Sequence, residues 1–500
     1  MITTPHPSYQ SSLAPWSRVR DVLAGEDAVK TAGERYLPRV QSHSDTEYAA
    51  YQQRASFFNA TARTAEGYVG LIFRRPPFIK IPEGKTGLAS HLQTFLEDCD
   101  LHGSSFSSYA KSITAECVGV GRAGTLIDWD PEGRAFAVTY RAEQILNWRV
   151  ERINGRRVPT IITLKEWASP FGFHLQNQAA NLNPFAVADV EQIRVLKLIP
   201  SSHLGSIQGQ AASPLSSFTY VVEFYQQAEP EFPGRKPEWK LVDTHIPSRV
   251  GQSVPLIPFV FHGPNHGRPD IDKTPLNDII AVNLDHYRLD ADYKHGLHFT
   301  ALPTAWVSGF DKTSSLKIGS TSAWVTESPG ASAGFLEFTG QGLTSFERAM
   351  DRDERLMAVL GSRLLENQKR VGETAQAIEL RQSGENSVLS KIATSVSQSL
   401  TQVLRWAYWW HSTEDSPESI TDNQALVRLN TDFSLQGLTS QELQAIVSAW
   451  QNKAISRDTM FELFRRGEIL PDGRTNDEEL RLLAHPGRDA APPVSEQSLS

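Results

Sequence analysis

The chain has 500 residues, 40% of them hydrophobic, with 49 Lys and Arg against 57 Asp and Glu for a formal net charge of −8. That length can bury one large core or two to three smaller ones. The acidic balance excludes a protein that grips nucleic acid over a broad basic face, since neutralising phosphates takes clustered cations, but it is compatible with a wall past which DNA slides.

The N-terminal stretch MITTPHPSYQSSLAPW has no basic segment followed by an apolar core, so it does not read as a secretory signal. Residues 1–15, rich in Ser, Thr and Pro, read as a disordered or strapping arm. A short helix follows at 16–23 and another at 25–30. Tyr48, Tyr51, Ala55, Phe58, Ala62, Ala65, Val69 and Ile72 recur at three and four residues, which predicts one amphipathic helix over 45–73 with Asp45 as its N-cap. Arg74-Arg75-Pro76-Pro77 ends it, because proline cannot continue the ladder. Further helices are expected at 86–98 and 104–117. Cys99 and Cys117, the two cysteines, fit no CxxC or Cys/His spacing. They read as small semi-buried thiols in a reducing compartment rather than a disulfide or zinc site.

From Gly124 the period changes from helix to strand. Residues 125–129 and 135–140 flank the turn Pro131-Glu132-Gly133-Arg134, and Asn154-Gly155 joins a second pair at 149–153 and 158–167. More strands are expected at 192–199, 218–226 and 237–243, separated by polar linkers at 170–190 and 201–217. This β-rich section of about 140 residues sits inside an otherwise helical chain. Pro275 then opens a helix with Leu276, Ile279, Ile280, Leu284, Tyr287 and Ala291 on one stripe and Asp278, Asp285, Arg288 and Asp292 on the other face. Run to Phe299, it measures about 37 Å at about 1.5 Å per residue. Short strands are expected at 304–308, 322–326 and 334–338.

The stretch 343–410 carries the most information. Phe346, Met350, Leu356, Met357, Leu360 and Leu364 form a helical stripe with small slips. The stripe stops at Glu366-Asn367-Gln368-Lys369-Arg370, passes Gly372 and resumes at Thr374. A second helix carries Ala377, Ile378, Leu389, Ile392, Val396, Leu400 and Leu404 to the cluster Trp406, Tyr408, Trp409, Trp410. A polar, partly basic loop between two helices, with no ligand or nucleophile pattern, describes a mechanical part. Beyond it lie an acidic linker, a segment at 426–430, short helices at 439–451 and 456–466, and a Pro/Ala/Ser-rich tail from Pro486 that reads as disordered. No apolar stretch reaches the ~18–20 residues that span a bilayer, so no membrane association is expected.

Several chemical motifs match by letter. Gly119-Val120-Gly121-Arg122-Ala123-Gly124 is a GxGxxG, but a helix precedes it and a strand follows, the reverse of the dinucleotide arrangement. Gly330-Ala331-Ser332-Ala333-Gly334 is a GxSxG, whose nucleophile elbow needs a helix after the serine; Phe335-Leu336-Glu337-Phe338 alternates like a strand. Downstream His411 and His485 are available as partners. Gly84-Lys85-Thr86 lacks the earlier glycine of a phosphate-cradling loop. His295 and His298 stand three apart near His286 and Asp292, a spacing able to share a metal, without a second matched ligand pair. No metal or other cofactor is expected.

In order and spacing, three stretches resemble the portal proteins of tailed bacteriophages, the head-to-tail connector family, across about residues 16 to 480. They are TEYAAYQQRASFFNATARTAEGYVGLIFRRPP, PLIPFVFHGPNHGRPDIDKTPLNDIIAVNLDHYRLDADYKHGLHF and GETAQAIELRQSGENSVLSKIATSV. The last has Glu373-Thr374 where portals often show Ser-Gly. The resemblance implies a mixed α+β portal protomer with long stem and wing helices, a β-rich wing section and a small β clip. Residues 1–265 would be the wing, 266–299 the first stem helix and 300–341 the clip. Residues 342–365 would be the second stem helix, 366–373 the tunnel loop and 374–412 the long wing helix, with a helical crown region at 413–485 and a disordered tail at 486–500. It further implies a non-enzymatic homo-oligomer, a dodecameric ring at one capsid vertex of the virion, assembled in the host cytoplasm. Double-stranded DNA would pass through it. The terminase large subunit, a head-tail adaptor, and the major capsid and scaffold proteins would be its partners. Asn367, Gln368, Lys369 and Arg370 would touch DNA in the tunnel loop. Asp285, Asp292, Glu347, Asp351 and Glu354 would line the channel as a wall that repels phosphate. Two other readings stand beside it: a serine hydrolase using Ser332, and a structural virion protein without a channel.

Overall fold

The computed structural model describes residues 1–82, 87–153, 155–168, 190–203, 218–228, 237–300, 304–309, 324, 328–336, 342–361, 375–431, 433, 440–466, 469–470 and 476–484. The fold is mixed α+β. Six helices come first: α1 (Pro7–Ala24), α2 (Glu26–Thr31), α3 (Asp45–Arg54), α4 (Ala60–Ile72), then after the short strand β1 (Phe78–Lys80), α5 (Gly87–Glu97) and α6 (Phe106–Gly119). The strands β2 (Ala123–Trp129), β3 (Ala135–Arg141), β4 (Ile145–Ile153), β5 (Arg156–Ala168), β6 (Val190–Pro200), β7 (Phe218–Ala228), β8 (Glu238–His245), β9 (Ser248–Arg249), β10 (Gln252–Ser253) and β11 (Phe259–His262) follow. Next come α7 (Asn277–Thr300), β12 (Thr304–Ser308), β13 (Ser332–Leu336), α8 (Leu343–Leu360), α9 (Ala375–His411) and β14 (Leu426–Arg428). The chain ends in α10 (Ser440–Gln451), α11 (Arg457–Arg466) and α12 (Asn476–Ala484).

Two expectations near the N-terminus change. The opening segment is helical from Pro7 and strapped down: the His6 ring accepts from Ser8 N at 3.2 Å and lies flat on Trp148 with centroids 4.0 Å apart, and the Tyr9 hydroxyl donates to Glu143 O. Of the two readings of residues 1–15, strap and disorder, the strap is observed. The helix expected over 45–73 is two helices. Ser44, not Asp45, is the N-cap of α3, with Glu47 completing a capping box. The chain then runs extended from Ala55 and restarts where Asn59 caps α4. The break is tertiary in origin. Asp290 accepts from Ser56 N, Asn283 donates to Phe58 O, and Asn283 accepts from the Thr61 hydroxyl. Backbone groups that a continuous helix would pair internally are paired with α7 instead.

The strand pattern holds. β4–β8 form a five-stranded antiparallel meander in sequence order, and β11-β2-β3 form a smaller sheet. A partly buried polar joint locks the two together: Arg194 on β6 pairs with Glu166 on β5 at 3.1 Å and reaches Asp128 on β2, while Tyr140 on β3 donates to Glu166. In the smaller sheet Gly124 is required. A Cβ there would sit 2.3 Å from the Phe259 ring. Most of the linkers at 170–190 and 201–217, the segment 322–326 apart from Trp324, Gly84-Lys85-Thr86, and the tail from Pro486 lie outside the described residues.

Helix α9 runs through the centre. Leu389, Ile392, Ala393, Val396, Leu400, Val403, Leu404, Ala407 and Trp409 are buried against α4, α5, α6, β2, β3 and β11. Arg249 ends it: its guanidinium lies over Trp409 and donates to the carbonyls of Ser412 and Glu414 beyond the last turn. A chain of hydrogen bonds ties its middle to the sheet. The Tyr109 hydroxyl meets Thr125 Oγ1 at 2.5 Å, Thr125 meets His262 Nε2 at 2.6 Å, and His262 Nδ1 meets Ser399 Oγ at 2.7 Å. Ser399 itself donates to Val396 O. Ser399 therefore accepts from Nδ1, Nε2 accepts from Thr125, and the imidazole is neutral.

Burial lowers the His262 pKa to about 3, and burial followed by the stacked His91 lowers that of His411 to about 4. Both lie below the ordinary value of 6.5, so the unfolded chain takes up protons that the native chain refuses. Stability should fall as pH drops from about 6.5, with the His262 share reaching up to about 1.4 kcal/mol per pH unit. Urea midpoints measured across this range should show that slope, and His262→Gln should remove part of it.

Candidate functional site

The sequence singled out the segment from α7 to α9, and the structure shows what it builds. α7 and α8 pack antiparallel along their lengths. Leu343 touches the turn at Gly296, where a Cβ would lie 2.8 Å from Leu343 Cδ2. Tyr293 donates to Glu347 at 2.7 Å, and His286 Nε2 lies 3.6 Å from Glu354. At the far end β12 and β13 pair from Thr304↔Leu336 to Ser308↔Ser332. At the near end α8 abuts α4: a Cβ on Gly361 would sit 2.3 Å from Thr64 Cγ2. The unit is a helical hairpin with a strand hairpin at its tip, rooted in the body through Leu276 and through α7, whose Ile279, Ile280, Asn283, Leu284, Tyr287 and Ala291 are buried.

The five carboxylates expected to line a channel take different places on the hairpin. Asp285 and Asp292 fall within about 20° of each other around α7. His286 and Tyr293, which meet Glu354 and Glu347, are one residue further on and so about 100° round. Asp292 is engaged by the body, accepting from the Tyr51 hydroxyl at 2.6 Å; burial and this bond raise the Tyr51 pKa. Asp351 is exposed beside Arg355 at 3.9 Å. Asp285 is exposed with no hydrogen-bond partner among the described residues. Asn367, Gln368, Lys369 and Arg370 lie outside the described residues.

Two features of α8 were not distinguished in the sequence. The expected single stripe is two faces: Met357 is buried against α7, whereas Leu356 and Val359 are 42% and 44% exposed and Leu360 is also exposed. The other is Asp353, buried at 2% exposure on the α7 side, with Oδ1 3.4 Å from Arg352 and Oδ2 unpartnered among the described residues. Burial, then Asp285, raises its pKa. The 3.6-residue period was the available signal for both, since Asp353 falls in phase with Phe346 and Met357.

The letter motifs take ordinary places. The GxGxxG spans the end of α6 and the start of β2, with Gly121 at φ +87° in the turn. Ser332 opens strand β13, opposite Ser308, so that a strand and not a helix directly follows it. His295 packs edge-on to His43 and Tyr51, with ring centroids 5.2 Å from each. Among the described residues no three His, Cys, Asp or Glu are arranged to hold a metal.

Residues 275–411, the hairpin and the long helix, match a family described as a domain of unknown function (DUF4055). No curated protein sequence matches the chain. Among solved structures, a chain in "Virion of native gene transfer agent (GTA) particle" is similar at TM-score 0.37 and 10% identity, over 89% of this chain and 99% of that one. Chains in "Neck of native GTA particle computed with C12 symmetry" and "Neck of empty GTA particle computed with C6 symmetry" each give TM-score 0.37 and 9% identity. They span 83% and 86% of this chain and 91% and 95% of those.

Asp353 supplies a test of the hairpin's packing. Its raised pKa means that ionisation costs stability as pH rises above the ordinary carboxylate value. Asp353→Asn should therefore stabilise the isolated chain at neutral pH, on the order of 1 kcal/mol. Denaturant midpoints for the two proteins near pH 7 and near pH 4 should converge at the lower pH.

Proposed function

We propose that this chain is a structural protein of a tailed-phage-type particle, and within that class the portal protomer whose ring forms the DNA channel at one capsid vertex. One observation carries this reading. A two-helix layer rooted in the body presents apolar side chains left exposed among the described residues: Leu356, Val359 and Leu360 on α8, and Trp306 (46% exposed) and Phe335 (53%) at the tip. Apolar faces of this kind mark contact surfaces. Copies set side by side about an axis would cover them, and a head-to-tail contact closes into a ring when its rotation closes. The sequence resemblance names the same parts, stem and clip.

In this reading α7 and α8 line the pore, and β12–β13 is where the terminase and the adaptor dock. Residues 366–373 narrow the channel, with Lys369 and Arg370 offering transient phosphate contacts. Asp285 keeps its place as an exposed wall carboxylate, while Asp292, Glu347 and Glu354 have a second role in holding the hairpin. The protein performs no catalysis, and ATP hydrolysis belongs to a separate terminase. The Ser332 hydrolase reading finds no support in a serine that opens an exposed strand, and a fluorophosphonate probe should leave Ser332 unlabelled.

Class-averaged electron microscopy of the purified chain should show rings with a central pore. Leu356→Glu combined with Val359→Glu should leave folded monomers, because both side chains already face solvent in the single chain. Compact monomers without a pore at every concentration of the unaltered protein would overturn the ring.

A further inference from the structure

The ladder between β4 and β5 is longer than the sheet behind it. β5 pairs with β6 only over Ile161–Ala168, while its pairing with β4 continues to Ile153↔Arg156. From its base at Arg149, residues 150–153 and 155–160 thus form a two-stranded arm reaching about 16 Å past the sheet at about 3.3 Å per residue. The turn closes through Gly155 at φ +82°. This arm carries Arg149, Arg152, Arg156 and Arg157 against a single acid, Glu151, in a chain whose net charge is −8.

The placement of the arginines is unusual. Arg152 stands directly opposite Arg157 across the ladder, so two like charges share one face, an arrangement that destabilises a sheet on its own. Arg149 and Arg156 point to the other face, with Glu151, because successive residues alternate. Arg156 meets Glu418. Arg149, Arg152 and Arg157 are exposed and make no ion pair among the described residues. Beside them an open hollow of about 610 Å³ is lined by Val150, Glu151, Arg152, Gly155 and Arg157.

We infer that this arm binds the phosphate backbone of double-stranded DNA. A two-stranded ribbon fits the roughly 12 Å width of the major groove. Arginines on both faces then meet phosphates on both walls, and guanidinium groups suit phosphate geometry. An acidic polypeptide would need cations on one face only. The contact is independent of sequence, since base recognition requires side chains that read base edges. It is also local, which reconciles it with an acidic chain that has no broad basic surface. The inference does not rest on the ring, because the arm is complete in one chain.

The test is fluorescence anisotropy of a short random-sequence DNA duplex against the full chain, with salt varied. Three arginine contacts give a log–log salt slope of about −2.7, or about a 40-fold loss of affinity between about 50 and 200 mM salt. Arg152→Ala with Arg157→Ala should bring the slope to about −0.9, a loss of only about 3.5-fold over the same range. Arg152→Lys with Arg157→Lys should keep the original slope, which separates charge from folding. Three results would overturn the inference: no binding at low salt, an unchanged slope in the alanine pair, or equal binding of polyglutamate at matched charge, which would assign the arm to an acidic protein surface. Rings without DNA binding, or binding without rings, would tell the two proposals apart.

Discussion

Everything else in the molecule is arranged around one long helix, α9, that is buried over most of its circumference from Leu389 to Trp410. From Leu389 to Trp410 the exposed side chains are Lys391, Thr394, Gln398 and Gln402, a narrow polar stripe on one side. The remaining polar residues of the helix face the protein and must find partners there. They do so in two rows of hydroxyls spaced four apart. Ser395 donates to Gly263 O, and Ser399 meets His262. On another side Ser397 accepts from Leu429 N, and Thr401 accepts from Val427 N. Strand β14 therefore docks against the helix through side chains as well as through its pairing with β1. Small hydroxyl residues serve here because they admit close approach while satisfying the backbone groups that approach them.

This spine sets what the hairpin can be. α7 buries one stripe against α1, α3 and α4, and among the described residues the end of α8 meets the body near α4. The result is an element firmly held along one helix and uncovered along the other. Such a layer is stiff enough to position a surface and incomplete enough to need company. Its buried Asp353 belongs to the same picture: a carboxylate between two helices, one oxygen unpartnered among the described residues, is the kind of group that discourages a fully closed hairpin.

Much of this was legible residue by residue, and the failures have a common cause. The long helix was expected at 374–412 and spans Ala375–His411; the helix opening near Pro275 spans Asn277–Thr300. Both are long periodic segments, where one register survives many turns. The strands between 123 and 245 were readable from alternation and turn residues. The break at 55–59 was not, because Ala55, Phe58 and Ala62 keep the helical period through it. Only Asn283 and Asp290, more than two hundred residues later, make the extended conformation preferable. The slip in the α8 stripe was visible in the letters, but it took the packing of Met357 to show that Leu356 and Val359 form a separate, uncovered face.

The sequence by itself determined the kinds and order of the elements, the mixed α+β class and the segment worth attention, since these follow from local periodicity, proline and glycine placement, and charge. Tertiary structure decided which polar groups meet. It gave four of the five carboxylates different partners and left Asp285 exposed, since helix phase and long-range neighbours assign each one. It also left the arginine arm clear of its sheet, because only strand register reveals that β5 outruns β6. Pairing over long sequence distances is set by packing in three dimensions, and no local pattern encodes it.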